Sequence, residues 1–289
     1  MPSPRLISGL SDVAGAYDAL LCDVWGVIHN GRESFADACE ALVRFQRERG
    51  PVILVSNAPR PSRAARGQLH ALKVPDAAWA DFVTSGDVTR AELSARAPGP
   101  VWAVGPARDS ALYEGLGLDF VETPQGAAFV CCTGPFDDEN DRPEDYRSRF
   151  EVCVADGLPF ICANPDKVVR RGDKMIYCAG ALADLYEGLG GTAITAGKPH
   201  APIYQAAMAA AARALGRTLD PARVLAIGDA LATDIRGANG QGLDCLFVAA
   251  GIDAAKTLGP DGLIEAARLD ALLIREGATA TCAIPDLRW

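Results

Sequence analysis

Short runs of hydrophobic residues alternate along the chain with stretches in which hydrophobic residues recur at helical spacing. Residues 19–22 and 52–55 are two such runs, and between them, over 35–49, hydrophobic positions recur every few residues. This order predicts a strand, a helix and a second strand, joined as a right-handed crossover in a parallel sheet. The pattern returns later, where an alanine-rich helix predicted at 201–215 precedes a buried strand at 224–227. We therefore expect an α/β fold.

The middle of the chain carries a second set of elements. Three further hydrophobic runs predict strands there: 101–104, 127–131 and 159–162. A stretch of about a hundred residues is long enough to form a domain of its own. We therefore predict a core formed by residues 1–83 and 191–289, interrupted by an α/β cap domain at 84–190. After the strand at 224–227, residues 234–240 are predicted to form another core helix.

The composition is that of an ordinary globular protein with an acidic surplus. Of the 289 residues, 49% are hydrophobic and 22% are charged, and 37 acidic against 28 basic residues give a net charge of −9. Two small arginine clusters are interpreted as solvated surface charge: Arg60, Arg63 and Arg66, and Arg170 with Arg171. Because no long basic run occurs, nucleic acid is not an expected partner.

The nine cysteines are odd in number and irregularly spaced, and none belongs to a Cys-x-x-Cys pair. This pattern predicts neither a disulfide framework nor a zinc site, and most of the cysteines are typical of small core residues. The first residues contain no apolar stretch of signal-peptide length, and no segment has the length and apolarity of a membrane span. We expect a cytoplasmic protein without a membrane partner. The sequence leaves the oligomeric state open, a homodimer included.

Polar residues stand where the predicted core strands end. They are Asp23 after the first strand, Ser56 and Asn57 after the second, and Lys198 and Asp229 after two later strands. Each alone has an ordinary structural explanation, such as a helix N-cap or a turn. The carboxyl ends of parallel strands lie at one edge of a sheet, where such folds bind ligands. The joint occurrence of these residues, in this order, favours a functional site.

Four segments resemble the motifs of the haloacid dehalogenase superfamily of phosphohydrolases: Cys22–Ile28, Val55–Asn57, Ala196–Pro199 and Ile227–Asp234. The insertion lies between the second and third of them, where this superfamily places its larger type 2 caps. Residues 163–166 and 178–182 also resemble its class IIA branch, which includes nitrophenylphosphatase-like and nucleotide phosphatase-like enzymes. The resemblance runs from about residue 18 to about residue 252. It implies a Rossmann-like parallel-sheet core with an inserted α/β type 2 cap.

A magnesium site is expected among the acidic residues. Asp23, Asp229 and Asp234 would bring three carboxylates together, and like charges that close take up protons unless a dication compensates them. Carboxylates, a backbone carbonyl and waters are the oxygen ligands that suit Mg²⁺. The resemblance implies that Asp23 and Asp229 bind the metal through their side chains. It also implies the carbonyl of Trp25 as a ligand, with Asp234 bound directly or just behind the ligands.

The resemblance implies phosphoryl transfer to Asp23, giving an aspartyl-phosphate that water hydrolyses. Lys198 would hold the nucleophile and the phosphoryl oxygens, and Ser56 and Asn57 would donate hydrogen bonds to those oxygens. The expected substrate is a small phosphorylated metabolite. The cap would select it, with Asn164 and Asp166 as candidate contacts, although the Asn-Pro-Asp sequence there is equally typical of a structural turn.

One position departs from the family pattern. Phosphatases of this superfamily normally carry a second Asp two residues after the nucleophile, which protonates the leaving group and then activates water. Trp25 stands there instead and can do neither. Loss of a general acid–base costs roughly 10²–10⁴-fold, about 3–5 kcal/mol of barrier. His29 could supply the proton, although its alternative role is that of a polar loop residue, or the substrate could have a good leaving group.

Two further explanations belong to other functional classes. The chain could be a weakened relative that binds a phosphorylated ligand without rapid turnover. It could also be a metal-independent dehalogenase, since a departing halide needs no general acid, but Asp229 and Asp234 form a metal-site pattern that such an enzyme does not need. A thiol enzyme is disfavoured, because alternation along the strand points Cys22 away from the site.

Overall fold

The computed structural model of the protein describes residues 3–171 and 174–289. The chain forms two compact units. The first unit comprises Met1–Ser56, Arg66–Val83 and Lys198–Trp289, and the second unit comprises Asn57–Ala65 and Thr84–Gly197. Each is described separately below.

Among the described residues the strands form three sheets. In chain order they are β1 Arg5–Leu6, β2 Ala19–Cys22, β3 Val52–Ser56, β4 Asp81–Thr84, β5 Val101–Val104, β6 Phe120–Val121, β7 Phe129–Cys132, β8 Pro159–Cys162, β9 Val168–Arg171, β10 Lys174–Tyr177, β11 Thr192–Thr195, β12 Val224–Gly228, β13 Asp244–Val248 and β14 Cys282–Ile284. A seven-stranded sheet has the order β1-β14-β13-β12-β2-β3-β4, and a five-stranded sheet has the order β11-β8-β7-β5-β6. Strands β9 and β10 form a separate antiparallel pair.

The α-helices are α1 Ala36–Glu48, α2 Ser62–Ala71, α3 Ser85–Ser94, α4 Arg147–Ala155, α5 Ala179–Gly188, α6 Ala201–Leu215, α7 Arg236–Gly240, α8 Ala254–Thr257 and α9 Ala266–Glu276. A π-helical turn at Leu231–Ile235 leads into α7. Short 3₁₀ helices occur at Leu10–Asp12, Ala14–Ala16, Asp76–Ala78, Ala107–Leu112, Pro143–Tyr146 and Pro221–Arg223. Within the part of the chain that the structure describes, no helix is both long and apolar enough to cross a membrane.

The centre of the first unit is the parallel strand β2, which pairs with β12 on one side and β3 on the other. Every residue of these three strands is buried. Continuous burial explains their uninterrupted hydrophobic sequences, because a parallel sheet is covered on both faces. Helix α6 begins with a proline in its first turn and ends at Gly216, whose φ of 66° suits the left-handed conformation that closes helices. The predicted α/β class is confirmed.

The five-stranded sheet of the second unit is parallel throughout. One hydrophobic cluster on it joins α4 and α5 to the strands, and in it the ring of Phe150 lies 5.5 Å from the ring of Phe160 and 5.5 Å from the ring of Tyr186. Strand β11 pairs with β8 in this sheet, although the boundary predicted at residue 190 would place β11 in the core. The second unit also includes residues 57–65, which the predicted boundaries assigned to the core.

Candidate active site

Two adjacent strands of the first unit deliver the first two carboxylates. Cys22 pairs with Ile227 across β2 and β12, and the backbone N–H of Asp23 donates to the carbonyl of Ile227 at 2.8 Å. Asp229 follows β12 directly. Since both strands run in the same direction, their next residues emerge at the same edge of the sheet. The observed register thus places Asp23 and Asp229 next to each other, at the sheet edge where the sequence pattern predicted them.

Asp234 completes a cluster of three buried carboxylates. One carboxylate oxygen from each of Asp23, Asp229 and Asp234 can be chosen so that all three lie within 4.8 Å of one another. The side chain of Asp234 also lies against Gly228, where an added Cβ would be only 2.3 Å from it. A side chain at residue 228 would therefore displace Asp234, and glycine is what lets strand β12 approach this carboxylate.

Two glycines close off one side of Asp229. Its Oδ2 accepts a hydrogen bond from the backbone N–H of Ile252 at 2.7 Å. An added Cβ on Gly26 or Gly251 would lie 2.2 Å or 1.9 Å from that same oxygen. The backbone therefore encloses Oδ2 and fixes the orientation of the carboxylate.

Lys198 lies among the carboxylates as their buried counter-charge. Its Nζ contacts the carboxylate of Asp23, lies 2.7 Å from Oδ1 of Asp234, and donates to the carbonyl of Val55 at 3.0 Å. Lys198 is 4% exposed. A lysine buried this deeply is retained only when such partners compensate the loss of water.

The single positive charge of Lys198 does not balance the three carboxylates of the cluster. Burial raises the pKa of Asp23 from 3.8 to about 7, a rise that Lys198 opposes and Asp234 increases. Burial, together with the charges of Asp23 and Asp234, raises the pKa of Asp229 well above its ordinary value. A divalent cation would compensate these charges, and the oxygen donors present are those that Mg²⁺ prefers. The residues therefore fit the expected metal.

Trp25 packs against its own loop. Its ring meets the His29 ring edge-on with centroids 5.1 Å apart. An added Cβ on Gly31, which has a φ of +82°, would lie 2.6 Å from the Trp25 ring. The loop is further tied by the backbone N–H of Gly26, which donates to the carbonyl of His29 at 2.8 Å. The indole thus occupies the position implied for the family's acid–base residue with a side chain that carries no titratable group.

His29 is part of the same packing. It is 2% exposed, and its Nδ1 accepts the backbone N–H of Gly31 at 3.1 Å. Burial lowers the pKa of His29 to about 4, so the ring is neutral at neutral pH. A neutral ring whose Nδ1 accepts a hydrogen bond carries its proton on Nε2. This environment is that of a structural loop histidine.

The remaining predicted residues are Ser56, Asn57, Asn164 and Asp166. Ser56 is the buried last residue of β3, in the first unit. Asn57 belongs to the second unit, where its Nδ2 donates to Oδ1 of Asp166 at 2.8 Å. The backbone N–H of Asp166 donates to Oδ1 of Asn164 at 3.1 Å, which is the hydrogen bond of an Asx-turn. Contact of these residues with a substrate or a phosphate stays a prediction.

Family models match both ends of the chain. The model described as haloacid dehalogenase-like hydrolase matches residues 20–119, and a HAD-hydrolase-like model matches residues 195–282. The crystal structure of a haloacid dehalogenase-like family hydrolase from Brucella suis 1330 is 42% identical, covers 98% of this chain and 100% of its own, and superposes with a TM-score of 0.87. The chain belongs to the haloacid dehalogenase-like hydrolase family. The resemblance inferred from the four sequence motifs is confirmed.

Two further relatives of this hydrolase have named activities. The 5′-nucleotidase YutF of Bacillus subtilis (strain 168) is 28% identical over 241 residues, which cover 82% of this chain and 88% of the relative. A glycerol phosphate phosphatase from Mycobacterium tuberculosis, crystallised in complex with magnesium, is 25% identical with a TM-score of 0.61. That match covers 83% of this chain and 70% of the other.

The sequence interpretation missed the loop after β13, which supplies Gly251 and the backbone N–H of Ile252 to Asp229. A usable signal was present. Strand β13 pairs with β12, so a glycine shortly after it falls at the same edge of the sheet as Asp229. Glycine at such a place is typical of a close approach of backbone to a functional group.

Proposed function

We propose that this hydrolase is a Mg²⁺-dependent phosphohydrolase that acts on a small phosphorylated metabolite through an aspartyl-phosphate on Asp23. The observation that carries the proposal is the buried cluster of Asp23, Asp229 and Asp234, in which one carboxylate oxygen of each residue lies within 4.8 Å of the other two. The relatives support it, since one is named a 5′-nucleotidase and another a glycerol phosphate phosphatase in complex with magnesium.

The metal would be held by the side chains of Asp23 and Asp229 and the backbone carbonyl of Trp25, with Asp234 as a direct or indirect ligand. Support comes from the enclosure of Oδ2 of Asp229 by the backbone, which pre-orients its carboxylate. Bound Mg²⁺ would neutralise phosphoryl oxygens and so allow an anionic nucleophile to approach phosphorus.

The protein residues then account for the steps of the reaction. A carboxylate oxygen of Asp23 forms a bond to phosphorus as the bond to the leaving oxygen breaks, and that oxygen departs with the electron pair. Water next attacks the phosphorus of the aspartyl-phosphate, which releases inorganic phosphate and restores Asp23. Lys198, which contacts Asp23 in the structure, favours the ionised form of the nucleophile and would stabilise the charge on the phosphoryl oxygens. Ser56 and Asn57 are proposed as hydrogen-bond donors to the same oxygens.

The packing around residue 25 supports a restriction on the leaving group. The indole of Trp25 has no acidic proton to transfer, and His29 is neutral, buried and hydrogen-bonded to Gly31. We therefore propose that the preferred substrates have leaving groups that depart without protonation, such as acyl phosphates, aryl phosphates or pyrophosphoryl compounds. The same observation favours a second candidate, a relative that binds a phosphorylated ligand and turns it over slowly.

The decisive experiment measures phosphate release with Mg²⁺ or with EDTA, using wild-type protein and Asp23→Asn. An aryl ester and an alkyl ester, 4-nitrophenyl phosphate and glycerol 3-phosphate, serve as substrates. We expect Mg²⁺-dependent release from the aryl ester that is lost in Asp23→Asn, and much slower release from the alkyl ester. No release from either ester or from acetyl phosphate would favour the ligand-binding candidate, whereas activity that survives EDTA would contradict the metal site.

A further inference from the structure

Tyr204, on helix α6, makes a buried contact with the backbone that carries Asp234. Its side-chain hydroxyl donates to the carbonyl of Asp234 at 3.0 Å and lies 3.3 Å from the carbonyl of Thr233. The residue is 2% exposed. Because the position is so buried, water does not readily replace this hydrogen bond when the hydroxyl is removed.

The contact is made to an irregular piece of backbone. Asp234 lies in the π-helical turn Leu231–Ile235, which is wider than an α-helical turn. Such turns are rare, and they occur frequently at functional sites. Space for the Tyr204 hydroxyl is provided by Gly237, where an added Cβ would lie 2.3 Å from the hydroxyl oxygen.

The carboxylate of Asp234 has partners in addition to this backbone contact. Its Oδ1 lies 2.7 Å from Nζ of Lys198, and its Oδ2 accepts the backbone N–H of Ala230 at 3.1 Å. Lys198 stands three residues before the start of α6, the helix that carries Tyr204. The segment from Lys198 to Tyr204 therefore contacts Asp234 twice. The ammonium of Lys198 contacts its side-chain carboxylate, and the hydroxyl of Tyr204 contacts its backbone carbonyl.

We infer that Tyr204 is a positioning residue that fixes the place of Asp234 relative to Asp23 and Asp229, and so sets the metal affinity of the carboxylate cluster. The phenol bonds to backbone carbonyls and not to a carboxylate of the cluster, so it acts through the backbone of Asp234. The inference rests on the proposed metal site. Partners that orient metal ligands in this way typically contribute 10–100-fold in metal affinity.

The test compares Tyr204→Phe with Tyr186→Phe. Tyr186 is a matched control, because its fully buried hydroxyl also donates to a backbone carbonyl, that of Leu158 at 2.6 Å, in the second unit. Binding of Mn²⁺ to each protein is measured by electron paramagnetic resonance of the free ion, without substrate. We expect Mn²⁺ affinity to fall about tenfold in Tyr204→Phe and to stay unchanged in Tyr186→Phe.

A kinetic readout separates positioning from general destabilisation. In Tyr204→Phe the Mg²⁺ concentration for half-maximal activity should rise about tenfold, while kcat at saturating Mg²⁺ stays within about threefold of wild type. Gly237→Ala provides a second variant, since its added Cβ displaces the hydroxyl while the tyrosine stays. Gly237→Ala should show the same loss of Mn²⁺ affinity as Tyr204→Phe. If Tyr204→Phe does not fold, the Mn²⁺ affinity of Gly237→Ala tests the inference by itself.

Wild-type affinity in both Tyr204→Phe and Gly237→Ala would overturn the inference. So would equal losses in Tyr204→Phe and Tyr186→Phe, which would indicate a general effect of removing a buried hydroxyl. Failure of the wild-type protein itself to bind Mn²⁺ would be a different result, because it would overturn the proposed metal site along with the inference.

Discussion

Replacing Trp25 with Asp should create the general acid that we propose this hydrolase lacks. Residue 25 stands two positions after the proposed nucleophile, Asp23. A carboxyl group introduced there would be close to other carboxylates, which raise its pKa and favour the protonated, proton-donating form. The variant should therefore gain activity on substrates whose leaving groups need a proton.

The expected magnitude has two parts. The stability cost is moderate, because Trp25 is half-buried and its best-defined contacts are the edge-on pair with His29 at 5.1 Å and the contact with Gly31. Losing the aromatic pair costs about 0.5–1.5 kcal/mol, and losing the buried part of the indole surface adds to this, against a typical folding free energy of about 5–15 kcal/mol. A well-placed general acid gives roughly 10²–10⁴-fold in rate. Since the new side chain is not optimally placed, we expect at least about tenfold.

The assay follows kcat/KM for glycerol 3-phosphate and 4-nitrophenyl phosphate at saturating Mg²⁺, with Trp25→Asn as the matched control. Asn has the shape of Asp but no acidic proton, so it reproduces the packing loss alone. Trp25→Asp should accelerate the alkyl ester by at least about tenfold over Trp25→Asn. The aryl ester should change little, because nitrophenolate departs without protonation.

Two results would refute the reasoning. If wild-type protein hydrolyses the alkyl ester as fast as the aryl ester, another residue already donates the proton and the restriction attributed to Trp25 is wrong. If Trp25→Asp and Trp25→Asn, both folded by circular dichroism, have equal activity on the alkyl ester, residue 25 does not face the leaving group. Loss of both activities in Trp25→Asn would show instead that the indole itself shapes the site.

Three more predictions follow from the carboxylate cluster. Lys198→Met should lower kcat/KM for the aryl ester at least about 10²-fold at saturating Mg²⁺, because it removes the ammonium that contacts Asp23. Gly251→Ala should weaken Mg²⁺ binding about tenfold by displacing Asp229, whereas Gly15→Ala, whose added Cβ meets nothing within 4 Å, should not. In the metal-free folded state the pKa of Asp23 is about 7 and the pKa of Asp229 is well above 3.8. Above about pH 4 the folded state therefore holds protons that the unfolded chain has released. Metal-free stability should thus fall as pH rises from about 4 to about 7, by up to ~4 kcal/mol for Asp23, and the gain in Tm on adding Mg²⁺ should be larger at pH 8 than at pH 5.

Much of the fold could be predicted from local sequence. Strand β2 and helix α6 have the predicted bounds, 19–22 and 201–215, since an uninterrupted hydrophobic run and an alanine-rich stretch closed by glycine each specify one conformation. The π-helical turn before α7 was not predicted, because hydrophobic spacing over so few residues does not distinguish it from an α-helix. The membership of β11 was also wrong, since strand pairing depends on long-range contacts that a linear boundary does not contain.

Some features of the candidate site could likewise be predicted from the sequence, and others could not. The position of Asp23 and Asp229 at one sheet edge could be predicted, because it depends only on strand order and direction. The bond from Tyr204 to the Asp234 carbonyl could not, because it joins segments about thirty residues apart through a hydroxyl with no motif of its own. Similarly, the sequence left His29 open as a proton donor, and only the buried contact with Gly31 favours a structural role.

Trp25 also separates two functions that the resemblance implies for one position. The proposed metal ligand there is the backbone carbonyl, which every amino acid supplies, whereas proton transfer depends wholly on the side chain. In this hydrolase the side chain packs on His29 and Gly31, and the neighbouring Gly26 N–H is tied to the His29 carbonyl. The contacts that fix this loop also help to fix the backbone carbonyl of Trp25. The indole can therefore support the proposed metal site although it cannot act as a general acid. It follows that Trp25→Asn should weaken Mg²⁺ binding, even though it leaves every proposed ligand atom in the chain.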